Sequence, residues 1–343
     1  MRFPVGMHIE RVAAAEHEIG PKDGPEDGPA GLGGLYEIAR VCARPGPAMS
    51  WRHFAASAAS GSSGERTETW VARDGGEVVG GLILRLPAHD NTHLALLQVM
   101  THPGRRREGI GGALLDHASA RAHAEGRSVL VGEAPADGPG SAFADARGFS
   151  RATTETRLVL DLPAADWSGL ELLRARAVRH ATGYSLERWA GPTPADLLDD
   201  MARLNEGMND EPLGDLAMED QRWNAERVRA RDEMLSRAGQ RTYTVIARHL
   251  SGGDPAGYTQ LVMDAEQPEG WVRQSSTAVL KAHRGRRLGL VLKLANLMWL
   301  RACEPSAERV ITWNSVENPH MLAINEAIGF TVFDTWNGLQ LAV

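Results

Sequence analysis

Two cysteines in 343 residues, Cys42 and Cys303, leave no disulfide framework to build on. They stand apart in sequence, without a C-x-x-C partner, and read as two reduced, partly buried thiols. No H-E-x-x-H run or Cys/His ligand spacing occurs, so no metal is expected. No stretch approaches the roughly 18 apolar residues of a membrane span, and the opening MRFPVGMHIERVAAAEHEIG lacks a signal-peptide block. A cytoplasmic chain with no membrane partner is the expectation. Positive charge is not in excess either. Lys plus Arg number 37 against 44 Asp plus Glu, a net charge of −7, which disfavours nucleic acid as a partner. What remains is globular composition, 43% apolar and 24% charged, at a length that suits about two domains.

The chain repeats itself. VMTHPGRRREGIGGAL at 99–114 matches VLKAHRGRRLGLVLKL at 279–294 without a gap. Each copy then reaches a Gly-Phe pair, Gly148-Phe149 and Gly329-Phe330, and the stretch from Gly109 to the first is almost equal to that from Gly289 to the second. The elements between these landmarks correspond as well. In the first copy, strands are expected at Met7 to Val12, Thr67 to Arg73, Glu77 to Leu86, His93 to Met100 and Ser128 to Val131, with Gly61 to Gly64 as a flexible break. Helices are expected at Leu32 to Ala43 and at Gly111 to Glu125, the latter stopped by Gly126. In the second copy, strands are expected at Gly183 to Trp189, Thr242 to Arg248, Ala256 to Met263, Val272 to Leu280 and Arg309 to Trp313. Its helices are expected from an N-cap at Thr193 to about Asn205, then at Met218 to Ala238 and at Leu290 to Cys303. The reading is a mixed α/β (α+β) chain of two domains, 1–160 and 183–343, joined by a partly helical connection at 161–182.

In both copies a basic loop opens directly into a helix. That arrangement turns unpaired backbone N–H groups and the positive end of a helix dipole toward an anion. Gly109, Gly111 and Gly112 let a ligand approach the backbone, and Arg105, Arg106 and Arg107 add charge, so the natural ligand is a pyrophosphate. The P-loop pattern G-x-x-x-x-G-K-[ST] is absent. A dinucleotide fingerprint fits poorly, because the loop 101–108 separates strand from glycine and Leu114 takes the last glycine position.

These residues resemble the GNAT superfamily of acyl-CoA-dependent N-acetyltransferases, whose pyrophosphate loop reads [Q/R]-x-x-G-x-[G/A]. Arg106-x-x-Gly109-x-Gly111 matches it fully. Arg286-x-x-Gly289-x-Val291 matches until Val291 replaces the small residue. Asn314, Asn318 and the Gly329-Phe330 pair of the second copy match later family landmarks, while the first copy keeps only Gly148-Phe149. The resemblance covers nearly the whole chain and implies two tandem GNAT-like domains, each a mostly antiparallel sheet flanked by helices.

It further implies acetyl-CoA as acyl donor and co-substrate, without a metal. The implied contacts are Val99, Arg105, Arg106, Arg107, Gly109, Ile110, Gly111 and Gly112 in one copy. In the other they are Val279, Arg284, Arg286, Arg287, Gly289, Leu290, Val291 and Asn318. The implied reaction is direct transfer of an acetyl group to the primary amine of a small molecule. Positioning, at roughly 7–11 kcal/mol, outweighs any single proton donor. Many family members carry a Tyr four residues before the Gly-Phe glycine. Here Ala144 and Asn325 stand there, and only Asn325 can hydrogen-bond a leaving sulfur.

The acceptor is expected at the polar loop 205–215, where Asp210, Glu211 and Asp215 can attract a cationic amine or take its proton. His93 is a candidate base in the first copy. Chemistry is expected in the second copy, with the first binding CoA without turnover or serving as scaffold. A non-catalytic acyl-CoA-binding or sensing protein is the competing expectation, and the chain leaves open whether it is a monomer or a homodimer.

Overall fold

The computed structural model describes residues 6–13, 23–26, 28–59, 65–266 and 269–343. The expected glycine break at 61–64 lies outside the described residues. The first half runs β1 (Met7–Arg11), α1 (Leu32–Cys42), α2 (Trp51–Ala59), β2 (Arg66–Asp74), β3 (Glu77–Leu86), β4 (Leu94–Thr101), α3 (Ile110–Ala124), β5 (Val129–Pro135), α4 (Pro139–Ala146) and β6 (Ser150–Asp161). Helix α5 (Trp167–Val178) bridges to the second half. There follow β7 (Tyr184–Ala190), α6 (Leu198–Glu206), α7 (Ala225–Arg237), β8 (Gln240–His249), β9 (Pro255–Asp264), β10 (Trp271–Val279), α8 (Leu288–Cys303), β11 (Arg309–Ser315), α9 (Pro319–Ile328) and β12 (Thr331–Ala342).

Local chemistry explains where the elements stop. Gly126, at φ +69°, ends α3, and Gly329, at φ +103°, caps α9; both are backbone positions that a side chain rarely adopts. Two expectations at helix starts are corrected. Thr193 caps nothing with its side chain. A short 3₁₀ turn, Ala195–Leu197, follows Pro194 instead, and the Thr193 backbone N–H donates to Asp232 Oδ2 at 2.8 Å. Helix α7 begins at Ala225 rather than at Met218, because Asn224 is its N-cap, accepting from the Arg227 N–H at 2.8 Å. Helix α2 was not foreseen. It buries Trp51, Phe54, Ala55 and Ala58, a helical spacing in a short run that the neighbouring polar residues obscure.

Among the described residues the strands form one twelve-stranded sheet in the order β1-β2-β3-β4-β5-β12-β6-β11-β10-β9-β8-β7. Each half therefore receives the last strand of the other. β12 sits between β5 and β6, while β6 pairs with β11 along the whole of β11. Among the described residues only the pairs β4–β5 and β10–β11 are parallel. Behind the sheet, α3 and α8 pack into separate apolar cores around Leu114 and Leu294. In front, α1 and α2 cover the first half, and α6 covers the second, around Leu35 and Met201.

Two crossing segments stitch the front together. Residues 43–53 of the first half reach the second: Ser50 N donates to Asp264 Oδ2 (3.1 Å) and Arg52 Nε to Arg237 O (2.7 Å). Residues 211–223 of the second half reach back. Asp215 N donates to Ala152 O (2.8 Å), Glu219 N donates to Asn91 Oδ1 (2.6 Å), and Arg222 N donates to Asp90 Oδ2 (3.1 Å). The strip of sheet between these segments belongs to both halves.

Candidate functional site

Each half contains an opening between two parallel strands. β4 and β5 pair at Leu94–Val129, Ala95–Leu130 and Leu96–Val131 and then diverge, although β4 runs on to Thr101 and β5 to Pro135. β10 and β11 pair at Trp271–Arg309, Val272–Val310 and Arg273–Ile311 and diverge in the same way. Val99 and Val279 lie on the diverging lengths of β4 and β10. β10 also carries an irregularity between Gln274 and Ser276, whereas the register of β4 against β3 is unbroken. A bulge of this kind locally disrupts the ladder and re-aims backbone groups.

At the end of each opening a helix begins with bare donors. In α3 the first helical bond is Ala113 N to Gly109 O, which leaves the N–H groups of Ile110, Gly111 and Gly112 without a backbone acceptor among the described residues. In α8 the first is Val291 N to Arg287 O, which frees Leu288, Gly289 and Leu290. Neither helix has a side-chain cap. Gly109, at φ +88°, is the N-cap of α3 and has open space where a Cβ would stand. In the second half Arg287 itself takes the left-handed N-cap position, at φ 56°, so α8 starts two residues earlier than its counterpart. Ile110, Leu290 and Val291 are buried in the cores, which confines their part in binding to the backbone. A pyrophosphate fits these loops: bare helix-end donors, an unfilled approach at Gly109 and arginines beside it.

The arginines divide their work. Arg105 donates to Glu108 (2.9 Å) and Asp74 (2.6 Å), and Arg284 donates to Val279 O (2.9 Å) and Asp210 (2.6 Å), so both brace their loops. Arg286 reaches Ala282 O at 3.0 Å, and Arg106 reaches Cys42 Sγ at 3.6 Å. Arg107, at φ 69°, and Arg287 occupy equivalent left-handed positions in the two copies of the loop.

The expected proton-handling residues fare differently. Asp210 is corrected: its two oxygens are held by Lys281 (2.7 Å) and Arg284 (2.6 Å), and the Lys281 hydrogen bond keeps its carboxyl below the usual range. It ties loop to loop and is not an available base. Asp215 is exposed and lies in the crossing segment against β6 and β12, where Gln340 Nε2 donates to its carbonyl (3.0 Å). Asn325 is fully buried and donates to Asn314 Oδ1 at 2.6 Å, with its own Oδ1 unpartnered. Asn318 caps α9, accepting from the Met321 N–H at 3.1 Å. His93 contacts Ala217 O at 2.7 Å, so it fastens the crossing segment. Cys42 and Cys303 are free thiols.

Residues 65–150 match the family model of the GNAT acetyltransferase domain. A solved tandem GNAT protein from the clavulanic acid biosynthesis pathway is 28% identical, with a TM-score of 0.76, over 98% of this chain and 98% of that one. The fold is that of a tandem GNAT protein. A GCN5-related N-acetyltransferase from Sphaerobacter thermophilus shares the fold at 14% identity and TM-score 0.61, covering 99% of this chain and 97% of its own. So does a putative acetyltransferase from Pyrococcus horikoshii, at 12% identity and TM-score 0.54, covering 100% and 92%. No curated protein matches the chain in sequence. Acyl transfer is the general chemistry this family serves.

The tandem GNAT frame also brings together carboxylates that the sequence did not single out. Glu133 lies on β5, two residues past the last pair with β4. Glu155 lies on β6 opposite Ser315, the last residue of β11 and hence at the open end of the second opening. Burial, then the neighbouring charges of Glu133 and Glu211, push the Glu155 carboxyl up to about 7. Burial also raises Glu133 and Glu211. Glu133 keeps solvent access while desolvated, as a side chain lining a concavity does. The available signal was strand alternation: Thr153, Glu155 and Arg157 share one face of β6, with Leu158 and Leu160 on the other.

Lys293, on α8, is a second unforeseen group. It is 1% exposed and stands over the Phe330 ring at 5.5 Å, and burial brings its ammonium down to about 7. Among the described residues no group of His, Cys, Asp and Glu is arranged to hold a metal, and no helix is long and apolar enough to cross a membrane.

Proposed function

We propose that the chain transfers an acetyl or related acyl group from acyl-CoA to a primary amine of a small molecule, with the chemistry in the second half. The observation that carries this reading is Glu155, a carboxylate titrating at about 7, placed opposite Ser315 where β10 and β11 stand apart. A base poised near neutral pH is the group an ammonium needs to lose its proton before it attacks. The domains taken are 1–160 and 183–343, with 161–182 as the connection.

Bound acyl-CoA supplies an activated thioester carbonyl. The bare N–H groups of Leu288, Gly289 and Leu290, with Arg286 and Arg287, hold its pyrophosphate. Glu155 takes the proton of the incoming ammonium, and Glu211 beside it adds negative charge that favours the cation's entry. Asn325 is committed to Asn314 and donates no proton to a departing thiolate, so that step relies on solvent or on the proton Glu155 has gained. The first half offers an equivalent loop for a second acyl-CoA.

Release of free thiol when the protein is mixed with acetyl-CoA and a panel of primary amines tests the reading. Native mass spectrometry should count two acetyl-CoA per chain. Binding without thiol release for any amine would leave a sensing protein in place of an enzyme. No binding at all would remove acyl-CoA from the reading.

A further inference from the structure

Glu155 stands two residues from an arginine and does not pair with it. Thr153, Glu155 and Arg157 share one face of β6, and side chains two apart on a strand start about 6–7 Å from each other, within reach of a guanidinium. Opposite charges so placed and held out of bulk water ordinarily close on one another, because an unpaired buried charge costs several kcal/mol. Arg157 is 4% exposed and does take a carboxylate, but one from another strand.

That carboxylate is Asp334 on β12. Arg157 Nε donates to Asp334 Oδ1 at 2.5 Å and its Nη2 to Asp334 Oδ2, while Nη2 also donates to Pro45 O at 3.1 Å. The rings of Trp336, Phe333 and Trp313 stand around the guanidinium at 5.0, 5.2 and 5.8 Å. The register shows how Asp334 comes to be there. Val332 lies opposite Leu158 and Asp334 opposite Arg157, so Phe333 is an extra residue in β12. Without it Phe333 would face Arg157, and Asp334 would lie opposite Thr156, on the other face of the sheet. Re-aiming one side chain in this way is what a bulge does.

Glu155 is left without a cation. Across β12 from it stands Trp336, and across β11 stands Ser315. The charged groups that act on it are Glu133 on β5 and Glu211 in the crossing segment, both of its own sign, and with burial they all push its carboxyl up. The Arg157 charge does cross this strip, since it offsets part of the rise that burial causes at Glu133. Its hydrogen bonds, however, go to Asp334.

We propose that Asp334 is a positioning residue for Glu155: by holding the Arg157 guanidinium against β12, it prevents an Arg157–Glu155 salt bridge and leaves the Glu155 carboxylate free for the acceptor's ammonium. This rests on the reading of Glu155 as the base and deepens it. Glu155 and Arg157 belong to β6 of the first half and Asp334 to β12 of the second, so the exchanged strands supply the base and the group that keeps it free from different halves.

Two measurements on the full chain test this. Thiol release from acetyl-CoA with an accepting amine gives the pH profile of kcat/KM. Carbon NMR of glutamate-labelled protein reads the Glu155 carboxyl directly, its signal being the one missing from Glu155→Gln. In Asp334→Asn the guanidinium is free to turn to Glu155. A cation at hydrogen-bond distance favours the charged carboxylate, so the NMR midpoint and the rising limb of kcat/KM should both move to lower pH by about one pH unit or more. The plateau should fall roughly tenfold or more, because the base is then held by a guanidinium. Asp334→Ser should act in the same way, and Asp334→Glu, which keeps a carboxylate, should restore wild-type behaviour. In Arg157→Gln/Asp334→Asn no guanidinium remains, and the midpoint should return to its wild-type place. A midpoint unmoved in both Asp334→Asn and Asp334→Ser, or still displaced in the double variant, would overturn the role of Asp334. The NMR midpoint also separates the two readings. A displaced midpoint with no thiol release from any amine would sink acyl transfer and leave Asp334 in its role. Thiol release that depends on Glu155 but keeps its limb in both Asp334 variants would do the reverse.

Discussion

The two halves keep one scaffold and differ at the places where chemistry happens. Both put a left-handed arginine at the same place in the loop, Arg107 and Arg287, and both open two parallel strands after a short paired stretch. The first half keeps Gly109 as a helix cap and an unbroken β4. The second half starts its helix at Leu288, irregularly pairs β10, and buries Lys293 where the first half has Ala113. Elements whose register is fixed by a core on both faces diverge slowly, because a one-residue slip would turn every side chain over. Loops and helix starts carry no such penalty. The exchange of β6 and β12 adds a further constraint, since neither half completes its sheet without the other.

The largest effect that can break the symmetry is on the carboxylates. Glu155→Gln should lower kcat/KM by roughly 10²- to 10⁴-fold, while Glu133→Gln, on the first half's opening, should leave most of it. Wild-type kcat/KM should rise with pH to a plateau above about 7, because the base works deprotonated, and the variant should lose that limb. The stability sign runs the other way. A carboxyl raised from 4.5 to about 7 binds more protons folded than unfolded, so stability falls as pH rises between those values. Glu155→Gln should therefore melt higher than wild type at pH 8. Equal losses for the two glutamates would place chemistry in both halves.

Lys293 sharpens the same comparison. Its ammonium, brought down from 10.5 to about 7, binds fewer protons folded than unfolded, so stability should climb with pH across that window. Lys293→Met removes the buried charge and should stabilise the chain at pH 7 by on the order of 3 kcal/mol, read from chemical denaturation. Ala113→Met at the equivalent place should destabilise by about 1–3 kcal/mol, because that site is packed around a small side chain. A destabilised Lys293→Met would show that the lysine has a partner.

The loops come next. Arg287→Glu and Arg107→Glu should each weaken one acetyl-CoA equivalent by roughly 10- to 100-fold, counted by native mass spectrometry, and only the Arg287 variant should slow thiol release.

Much of this was legible in advance, and the exceptions have a common cause. The repeat, the loop arginines and most strands followed from spacing, since local chemistry sets turns and helix ends. Asp210 was misjudged because Lys281 and Arg284, far along the chain, claim its oxygens, and contacts across such a separation leave no mark on the sequence. Glu133 and Glu155 were missed for the same reason. Each is an ordinary strand glutamate until β12 and β6 change places and bring the two within reach of each other.

The smallest expected effect tests the least conspicuous difference. Helix α9 is capped by Asn318, whose side chain accepts from the Met321 N–H, whereas its counterpart α4 begins after Gly138 with no side-chain cap. Asn318→Ala should cost about 1 kcal/mol, the usual worth of such a cap. Gly138 has an extended backbone, at φ 169°, and nothing within 4 Å of where a Cβ would stand, so a side chain fits without strain. Gly138→Ser should therefore stabilise the first half by roughly a few tenths of a kcal/mol, partly through the new acceptor and partly by restricting the unfolded chain. Because the exchanged strands couple the halves, both changes should appear as shifts of one cooperative melting transition. Two separable transitions, each moved by only one of the substitutions, would show that the exchange of β6 and β12 does not bind the halves into a single folding unit.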